Sequence, residues 1–414
     1  MDNIIHTRMT LLSPLLTIQY LEPSPILSTL DKERVIDRLR LAAERLPFTH
    51  LLIGWQVPPT ILDACRVEAQ HLGMRFLRWQ PLLTPDPALQ PDPEWRVTNL
   101  MGRKMEGFRA LPEFTFACPN HPALQEAVFS HLEALVHHGI YQGYFLDRVR
   151  FPSPSVDPFT NLACFCDYCQ HKAAEFDLDL EELRVGLLRC QEDQACGPDL
   201  VHSLLTAKID QAPTHLDMLL NKYLSFRDHS ISDFLAPITR LLRAAQLEIG
   251  LDCYSPRLAQ MVGQDLPALS KQVDWIKLMT YAHTLAPAGL PYELSNLAHF
   301  LISVTHMSDA QALKLMENAI GYPLPASLGA LEKEGLSSTS LGKEVEYGVA
   351  SVPLAVLAGI ELLDLEGVTA LNSGQIQSDL EILKRSGAAG LAISWDLAHI
   401  PLERLDLVRR FYLG

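Results

Sequence analysis

Three acidic residues in this sequence, Asp147, Asp252 and Glu361, each follow a short apolar stretch. An ionised carboxylate is costly in apolar surroundings unless it is paired or has a function. Glycoside cleavage uses such groups together: one carboxylic acid protonates the leaving oxygen, and a second carboxylate attacks the sugar or activates water. We therefore predict these three residues as candidate catalytic groups. For Asp147, a structural ion pair with Arg148 or Arg150 is the alternative.

Aromatic and polar side chains occur near the same positions of the sequence. Flat aromatic faces stack on sugar rings, and polar groups bind sugar hydroxyls. Tyr254 has the same parity as Asp252, so both side chains are expected to point to one side of a strand. The candidate substrate-binding residues are Glu22, Trp55, Arg150, Tyr254, Lys277, Tyr281, Trp395 and Asp396.

Three of the eight cysteines, Cys164, Cys166 and Cys169, fall within six residues. Eight cysteines in 414 residues are too few for a disulfide framework. The spacing is compact enough for three thiolates to bind one zinc ion, with a fourth ligand to come from Cys118, His171, Cys190 or Cys196. We predict a structural zinc rather than a catalytic one, and three free cysteines that pack a small insertion are the alternative.

The elements that must position these residues alternate between short β-branched or aromatic runs and long segments of helical period. This alternation is typical of a parallel sheet crossed over by helices. Eight strand and helix units occur in order, which predicts an α/β fold, specifically a (β/α)8 TIM barrel formed by one domain over residues 1–414. The strands are predicted at residues 15–21, 49–55, 74–81, 143–151, 248–254, 274–283, 359–365 and 390–397.

Two stretches interrupt the alternation. Residues 152–215 contain the cysteines and are predicted as an insertion after strand four, and residues 284–340 are predicted as an irregular insertion after strand six. An open doubly wound sheet would give the same local alternation. It is disfavoured because no G-x-G-x-x-G follows the first strand and no phosphate-binding loop motif occurs. In a barrel the carboxyl ends of the strands form the active site, and the candidate residues fall near those ends.

Composition limits the function classes further. The chain has 49 acidic and 34 basic residues and a formal charge of -15, which disfavours nucleic acid and anionic membranes as partners. The apolar run near the amino end contains Pro14 and Gln19 and lacks the features of a signal peptide, so a cytoplasmic protein is expected. A neutral or cationic partner suits this surface better, and the predicted partner is a carbohydrate substrate. Oligomeric state is open.

Four sequence stretches together resemble the hypothetical glycosyl hydrolase and chitinase-like barrels. They are residues 144–152, the window 164–169, residues 274–281 and Ser394-Trp395-Asp396. The resemblance spans about residues 143–397. It implies that Tyr281 and Trp395 line a sugar site.

The same resemblance bears on the catalytic residues. The large retaining barrel clan has its acid/base after strand four and its nucleophile after strand seven, and these places hold Asp147 and Glu361 here. The clan uses Glu at both places, so Asp147 is one methylene shorter, and Asp252 is an alternative partner. The chitinase motif D-x-x-D-x-D-x-E is absent, which speaks against substrate-assisted chitin cleavage.

The function predicted from the sequence is therefore hydrolysis of an oligosaccharide by paired carboxylates, without a cofactor in catalysis. Two alternatives belong to other classes. One is a catalytically silent carbohydrate-binding barrel, and the other is a zinc-dependent hydrolase that uses the cysteine window.

Overall fold

Eight parallel strands close into a barrel in the order β1 to β8, so the predicted (β/α)8 architecture is confirmed. The structure is a computed structural model that describes residues 14–23, 30–86, 89, 92–107, 111–193, 196–206, 214–369 and 371–414. The strands are β1 Leu15–Tyr20, β2 His50–Ile53, β3 Arg75–Pro81, β4 Gly143–Asp147, β5 Glu248–Cys253, β6 Trp275–Leu278, β7 Ala355–Glu361 and β8 Gly390–Ser394.

The strand boundaries differ from the prediction mainly at the carboxyl ends. β4 ends at Asp147 and β6 ends at Leu278, although the apolar pattern continues beyond both. β7 begins at Ala355, four residues before the predicted start at Gly359. Apolar residues after a strand can be buried by loops that fold over the barrel mouth, so an apolar run alone does not mark where pairing ends.

Helices follow the strands around the barrel. Several begin at side-chain caps: Asp31 accepts from the Arg34 backbone at the start of α1, and Thr214 forms a capping box with Asp217 at the start of α8. The helices are α1 Lys32–Arg45, α2 Pro59–His71, α3 Pro122–His137, α4 Pro158–Asn161, α5 Asp167–Ala174, α6 Leu180–Asp193, α7 Gly197–Thr206, α8 His215–Ala244, α9 Leu266–Ser270, α10 Leu290–Thr305, α11 Asp309–Ile320, α12 Leu328–Glu334, α13 Ser338–Ser351, α14 Ser373–Leu383 and α15 Leu402–Val408.

The stretch 284–340, predicted to be irregular, contains helices α10, α11 and α12. Buried Leu290, Leu294, Leu297 and Leu301 recur at the three- and four-residue intervals of one helix face. The prolines and glycines around these helices obscure this period in the sequence. Between β4 and α8, residues 152–215 contain the four shorter helices α4 to α7.

The amino-terminal half of the barrel interior is filled with side chains. The rings of Phe145 and Trp275 stack at 5.5 Å between centroids, among buried leucines from other strands. Below them, Glu248 accepts a hydrogen bond from the Trp275 indole at 2.7 Å, lies 2.9 Å from His50 Nε2 and forms an ion pair with Arg75. This group of residues, Phe145, Trp275, Glu248, His50 and Arg75, is called the barrel floor below.

Closure between the first and last strands depends on a residue without a side chain. β8 pairs with β1 from Gly390 opposite Leu15. A Cβ atom at Gly390 would lie 1.8 Å from the Leu15 carbonyl oxygen, so only glycine fits there. Among the helices that the structure describes, none combines the length and apolar character needed to cross a lipid bilayer.

Candidate active site

A cavity of about 740 Å³ opens above the barrel floor at the carboxyl ends of the strands. This is the end at which active sites of such barrels lie. Eight of the residues proposed from the sequence line it: Glu22, Trp55, Asp147, Arg150, Asp252, Lys277, Tyr281 and Trp395.

Asp147 and Asp252 project from neighbouring strands at equivalent heights. Leu146 and Leu251 are register partners of β4 and β5, and each aspartate is the next residue of its strand. Neighbouring strands lie about 4.8 Å apart, so the two backbones are held close together. Both aspartates line the cavity.

The Asp147 carboxylate receives hydrogen bonds from a donor on β3 and from the residue that follows β4. Oδ2 accepts from the Trp79 indole at 2.8 Å, and Oδ1 accepts from the backbone N–H of Arg148 at 2.5 Å. The Arg148 guanidinium lies 3.8 Å from Oδ2. The ion-pair alternative from the sequence is therefore present in part, through Arg148, but at a long distance.

The Asp252 carboxyl group has a different hydrogen-bond donor. Its Oδ2 accepts from Lys277 Nζ at 2.9 Å, and the same ammonium donates to Gln19 Oε1 at 3.0 Å. Burial is the main cause that raises the pKa of Asp252 to about 7, and the nearby Asp147 charge adds to it, while Lys277 opposes the shift. A carboxyl with such a pKa is protonated in a large fraction of molecules near neutral pH.

Glu22 and Arg148 form the next part of the wall. Arg148 Nη2 lies 3.7 Å from Glu22 Oε1, and Nη1 donates to the Glu113 carbonyl at 2.6 Å. Burial raises the pKa of Glu22 above its usual range, although 31% of its side chain is exposed. Screening by solvent reduces the pKa shift of Glu22, so Asp252 is the stronger candidate for a general acid.

Aromatic rings surround these carboxylates. Trp55 and Trp79 meet edge to face at 5.3 Å, and Tyr281 and Trp395 lie 5.9 Å apart. Trp395 is partly exposed, whereas the other three rings are buried. The cavity therefore offers one accessible indole beside its acidic groups.

Three buried polar atoms of the cavity wall have no hydrogen-bond partner among the described residues: Trp55 Nε1, Arg150 Nε and Asp252 Oδ1. A buried polar group without a partner costs about 1 to 3 kcal/mol. Two donors and one carboxyl oxygen in a single cavity are suited to a ligand that carries both acceptors and donors.

The remaining candidates do not line this cavity. Glu361 accepts a hydrogen bond from the His283 backbone at 2.6 Å, and burial raises its pKa to about 7, opposed by the charge of His283. The Tyr254 hydroxyl donates to Glu293 at 2.5 Å. Asp396 accepts from the backbone N–H groups of Leu21, Glu22 and Ala398 at 2.8 to 3.1 Å.

Several lining residues were not among the candidates chosen from the sequence. Gln19 is a polar residue within the apolar strand β1, and this contrast is a signal that could have identified it. Glu113 and Phe114 lie in a loop between β3 and α3, where strand periodicity gives no information. The others are Pro23, Gln56, Trp79, Pro85, Pro112, Arg148, Met279 and residues 286–288.

A second cluster consists of four buried cysteines. The sulfur atoms of Cys118, Cys164, Cys166 and Cys169 all lie within 4.8 Å of one another. Of the four candidates for the additional ligand, Cys118 is the one that the fold brings to the window. Cys190 and Cys196 pair with each other, and His171 is exposed, with its Nδ1 against the Asp167 carbonyl.

Comparison with solved structures supports the fold. The PgaB (BpsB) glycoside hydrolase domain from Bordetella bronchiseptica matches with a TM-score of 0.54 at 13% identity, over 97% of this chain and 99% of that one. A β-galactosidase from the psychrophilic Marinomonas ef1 matches with a TM-score of 0.57 at 10% identity, over 96% of this chain and 59% of that one.

A GH42 β-galactosidase from G. stearothermophilus gives a TM-score of 0.56 at 11% identity, over 96% of this chain and 56% of that one. No protein-family model matches the sequence, and no curated protein is detectably similar to it. The resemblance to glycoside hydrolase barrels expected from the sequence is thus confirmed as a likeness of fold.

Proposed function

We propose that this protein is a glycoside hydrolase that cleaves an oligosaccharide, with Asp147 and Asp252 as its catalytic pair. The observation that carries the proposal is the position of these two carboxyl groups, at equivalent heights on adjacent strands, in a cavity walled by aromatic rings. Glycoside hydrolysis needs two carboxyl groups that differ in protonation. The solved structures that share this fold include a glycoside hydrolase domain and two β-galactosidases, which supports the proposal.

In this proposal Asp252 is the general acid. Its Oδ2 accepts from the Lys277 ammonium, so the acidic proton belongs on Oδ1, the oxygen that has no partner in the described part of the chain. A pKa of about 7 leaves this proton available at neutral pH. The proton passes to the glycosidic oxygen as the bond to the sugar breaks.

Asp147 acts as the carboxylate that attacks the sugar or activates water. Its contacts come from donors only, namely Trp79 Nε1 and the Arg148 backbone and guanidinium. These donors fix the orientation of both oxygens. Trp395 and Tyr281 supply the sugar platform, and the chemistry needs no cofactor.

Substrates with different leaving groups distinguish the general-acid role of Asp252 from the role of Asp147. Asp252→Asn should lower kcat/KM about 100-fold to 10,000-fold on aryl glycosides with poor leaving groups, and much less on dinitrophenyl glycosides, which need no protonation. Asp147→Asn should abolish turnover of both substrate types. Substrate panels should cover several sugars and both anomers, with kcat/KM measured for each.

Glu361→Gln is the matched control, because Glu361 is a buried carboxyl at a strand end outside the cavity wall. It should leave kcat/KM within a few-fold of the wild-type value. Loss of turnover in Glu361→Gln with normal folding would instead restore the strand-seven nucleophile expected from the clan resemblance. Near wild-type turnover in Asp147→Asn would remove Asp147 from the mechanism.

A catalytically silent carbohydrate-binding barrel makes a different prediction. It would bind oligosaccharides in the same cavity, and Asp147→Asn would not change the amount of reducing ends released, which would be none. Release of reducing ends from an oligosaccharide panel, set against binding of the same sugars, decides between the two functions.

We also propose that the four cysteines hold a structural zinc ion. Four sulfurs about 2.3 Å from a tetrahedral zinc lie about 3.8 Å from one another. Cys118 Sγ lies 3.4 Å from Cys169 Sγ and 3.6 Å from Cys166 Sγ. The backbone N–H of Thr98 donates to Cys164 Sγ at 3.2 Å, which is a contact that supports metal-bound sulfur.

Four cysteine ligands fill a tetrahedral coordination shell, so no position remains for an activated water. None of the four lines the cavity described above. The zinc-dependent hydrolase is therefore the weaker reading. Zinc here would join the loop before α3, which carries Cys118, to the segment after β4.

Metal analysis tests this second proposal. Purified protein should contain about one zinc per chain, and Cys118→Ser or Cys166→Ser should lower that content and the melting temperature. Cys65→Ser, a change at a buried cysteine of α2 outside the cluster, should keep the zinc. Metal-free protein with an unchanged melting temperature, or full zinc content in Cys118→Ser, would contradict it.

A further inference from the structure

Arg150 is a buried cation in the cavity wall. Only 5% of the residue is exposed. Its guanidinium carbon lies over two aromatic rings, 4.7 Å from the centre of Phe116 and 4.8 Å from the centre of Tyr254. Such contacts stabilise a cation and fix the plane of the group without using its N–H donors.

Most of those donors are unused. Nη1 donates to the Phe151 carbonyl at 3.1 Å, and Nε is buried without any acceptor. Among the residues that the structure describes, no carboxylate forms an ion pair with Arg150. The other two cations of the wall differ, since Lys277 pairs with Asp252, and Arg148 pairs with Glu22 and Asp147.

Two of the free donors, on Nε and Nη2, lie on one edge of the guanidinium. Nε and Nη2 point in the same direction and together make the fork that binds two oxygens of a planar carboxylate. The protein has used the opposite side, through Nη1. The Arg150 charge also lowers the pKa of Asp252, so this fork lies near the carboxyl group assigned above as the acid.

We propose that Arg150 forms a subsite for a carboxylate on the substrate, so that the sugar bound beside the catalytic pair is a uronic acid. This inference rests on the hydrolase function proposed above and names its substrate class. A neutral hydroxyl would leave a buried cation without an ion-pair partner among the described residues, which is a costly arrangement. A sugar carboxylate satisfies both donors and the charge in one contact.

Matched glycosides test the proposal directly. Nitrophenyl glucuronides and galacturonides differ from the corresponding glucosides and galactosides only by a carboxylate in place of a hydroxymethyl group. The wild-type enzyme should prefer the acidic member of a pair by about 10-fold or more in kcat/KM. Arg150→Met should remove that preference, and Arg150→Lys, which keeps one charge but not the fork, should retain part of it.

The exposed Arg103 provides the control. Arg103→Met should keep the wild-type preference for the acidic glycoside. Denaturant unfolding of each variant identifies any loss caused by misfolding, and Arg150→Lys preserves the test if Arg150→Met does not fold. If the wild-type enzyme prefers the neutral glycosides and Arg150→Lys shows the same preference, the carboxylate subsite is wrong. The proposal that the protein is a glycoside hydrolase would not be affected by this result.

Binding provides a readout that does not depend on turnover. The Asp147→Asn variant should bind a uronic acid disaccharide more tightly than its neutral counterpart, measured by calorimetry, and the added change Arg150→Lys should weaken the acidic ligand selectively. Selective binding without cleavage by the wild type would support the subsite while contradicting hydrolysis. Equal binding of the acidic and neutral sugars would overturn the subsite.

Discussion

At the scale of single residues, Asp147 and Asp252 show how one structural layer can give two carboxyl groups different properties. Both lie at the same height because the residues before them, Leu146 and Leu251, are register partners. Asp147 accepts from two N–H donors, whereas one oxygen of Asp252 is buried without a partner among the residues that the structure describes. The difference comes from the neighbours on β3 and β6 rather than from the aspartates themselves.

The pH dependence of turnover follows from Asp252. As general acid it must be protonated, so kcat/KM should fall as the pH rises through about 7, the pKa to which burial raises this group. Asp252→Asn should remove this alkaline limb, together with most of the activity on poor leaving groups. Measurement of kcat/KM from pH 5 to 9 checks both points. An alkaline limb that persists unchanged in Asp252→Asn would assign the acid to another group.

Trp395 is a partly exposed indole of the cavity wall, and it packs near Tyr281. If it is a sugar platform, Trp395→Ala should lower kcat/KM about 10-fold or more, with a modest loss of stability. A core tryptophan would instead cost about 3 to 5 kcal/mol of unfolding free energy and leave the kinetics of the folded enzyme nearly unchanged. Active-site-titrated kinetics and denaturant unfolding of one variant distinguish these results.

The sequence predicted part of this site for clear reasons. Residues such as Lys277 were chosen because they lie near the carboxyl end of a predicted strand, which is where the cavity opens. Tyr254 was expected beside Asp252, but β5 ends at Cys253, so the alternation no longer applies at position 254. Cys118 lies 46 residues before Cys164, the first of the three closely spaced cysteines. Only the fold, not spacing, selects it from several possible ligands.

At the scale of secondary-structure elements, His283 connects three of them beside the barrel. It follows β6, and its Nδ1 and Nε2 lie 2.9 Å from the Glu334 carbonyl at the end of α12 and from Asp379 of α14. Both partners are acceptors, so the ring must donate at both nitrogens and carry a charge. The hydrogen bond to Asp379 is the main favourable cause that raises the pKa of His283 to about 9, against the opposing effect of burial.

This contact predicts a loss of stability at alkaline pH. The folded state holds the His283 proton more tightly than the unfolded chain, so the stabilisation is complete below about pH 6.5 and disappears as the pH rises through about 9. The full effect is about 3 kcal/mol, because each pKa unit corresponds to about 1.4 kcal/mol. Unfolding free energies of the wild type and His283→Gln should differ at pH 6 and converge near pH 9.5. A constant difference would contradict the charged ring.

Element boundaries were harder to predict than element types. Helices with a clear apolar face, such as α1 with buried Val35, Leu39 and Ala42, were located within a residue or two. The prediction placed the start of β7 at Gly359, which is too late in the chain. Ala355 lies in an apolar run that could equally well belong to the preceding helix. β7 begins where it starts to pair with β6, and this pairing cannot be read from the sequence.

At the scale of the whole molecule, barrel closure depends on the close approach of β8 to β1. Gly390→Ala would place a methyl group against the Leu15 carbonyl oxygen, so it should lower the unfolding free energy by at least about 2 kcal/mol. Gly329→Ala in α12 is the control, since a Cβ there meets nothing within 4 Å. It should leave stability unchanged or raise it by up to about 1 kcal/mol. Equal effects in the two variants would show that closure tolerates a larger residue.

The barrel floor also determines how substrate enters the cavity and how product leaves it. Phe145, Trp275 and Glu248 fill the interior below the cavity, so within the described part of the chain a sugar ring cannot pass through the barrel. Entry and departure must then share the single mouth above Asp147 and Asp252. A product that has not yet left occupies the place of the next substrate, and we expect the released sugar to act as a competitive inhibitor in progress curves.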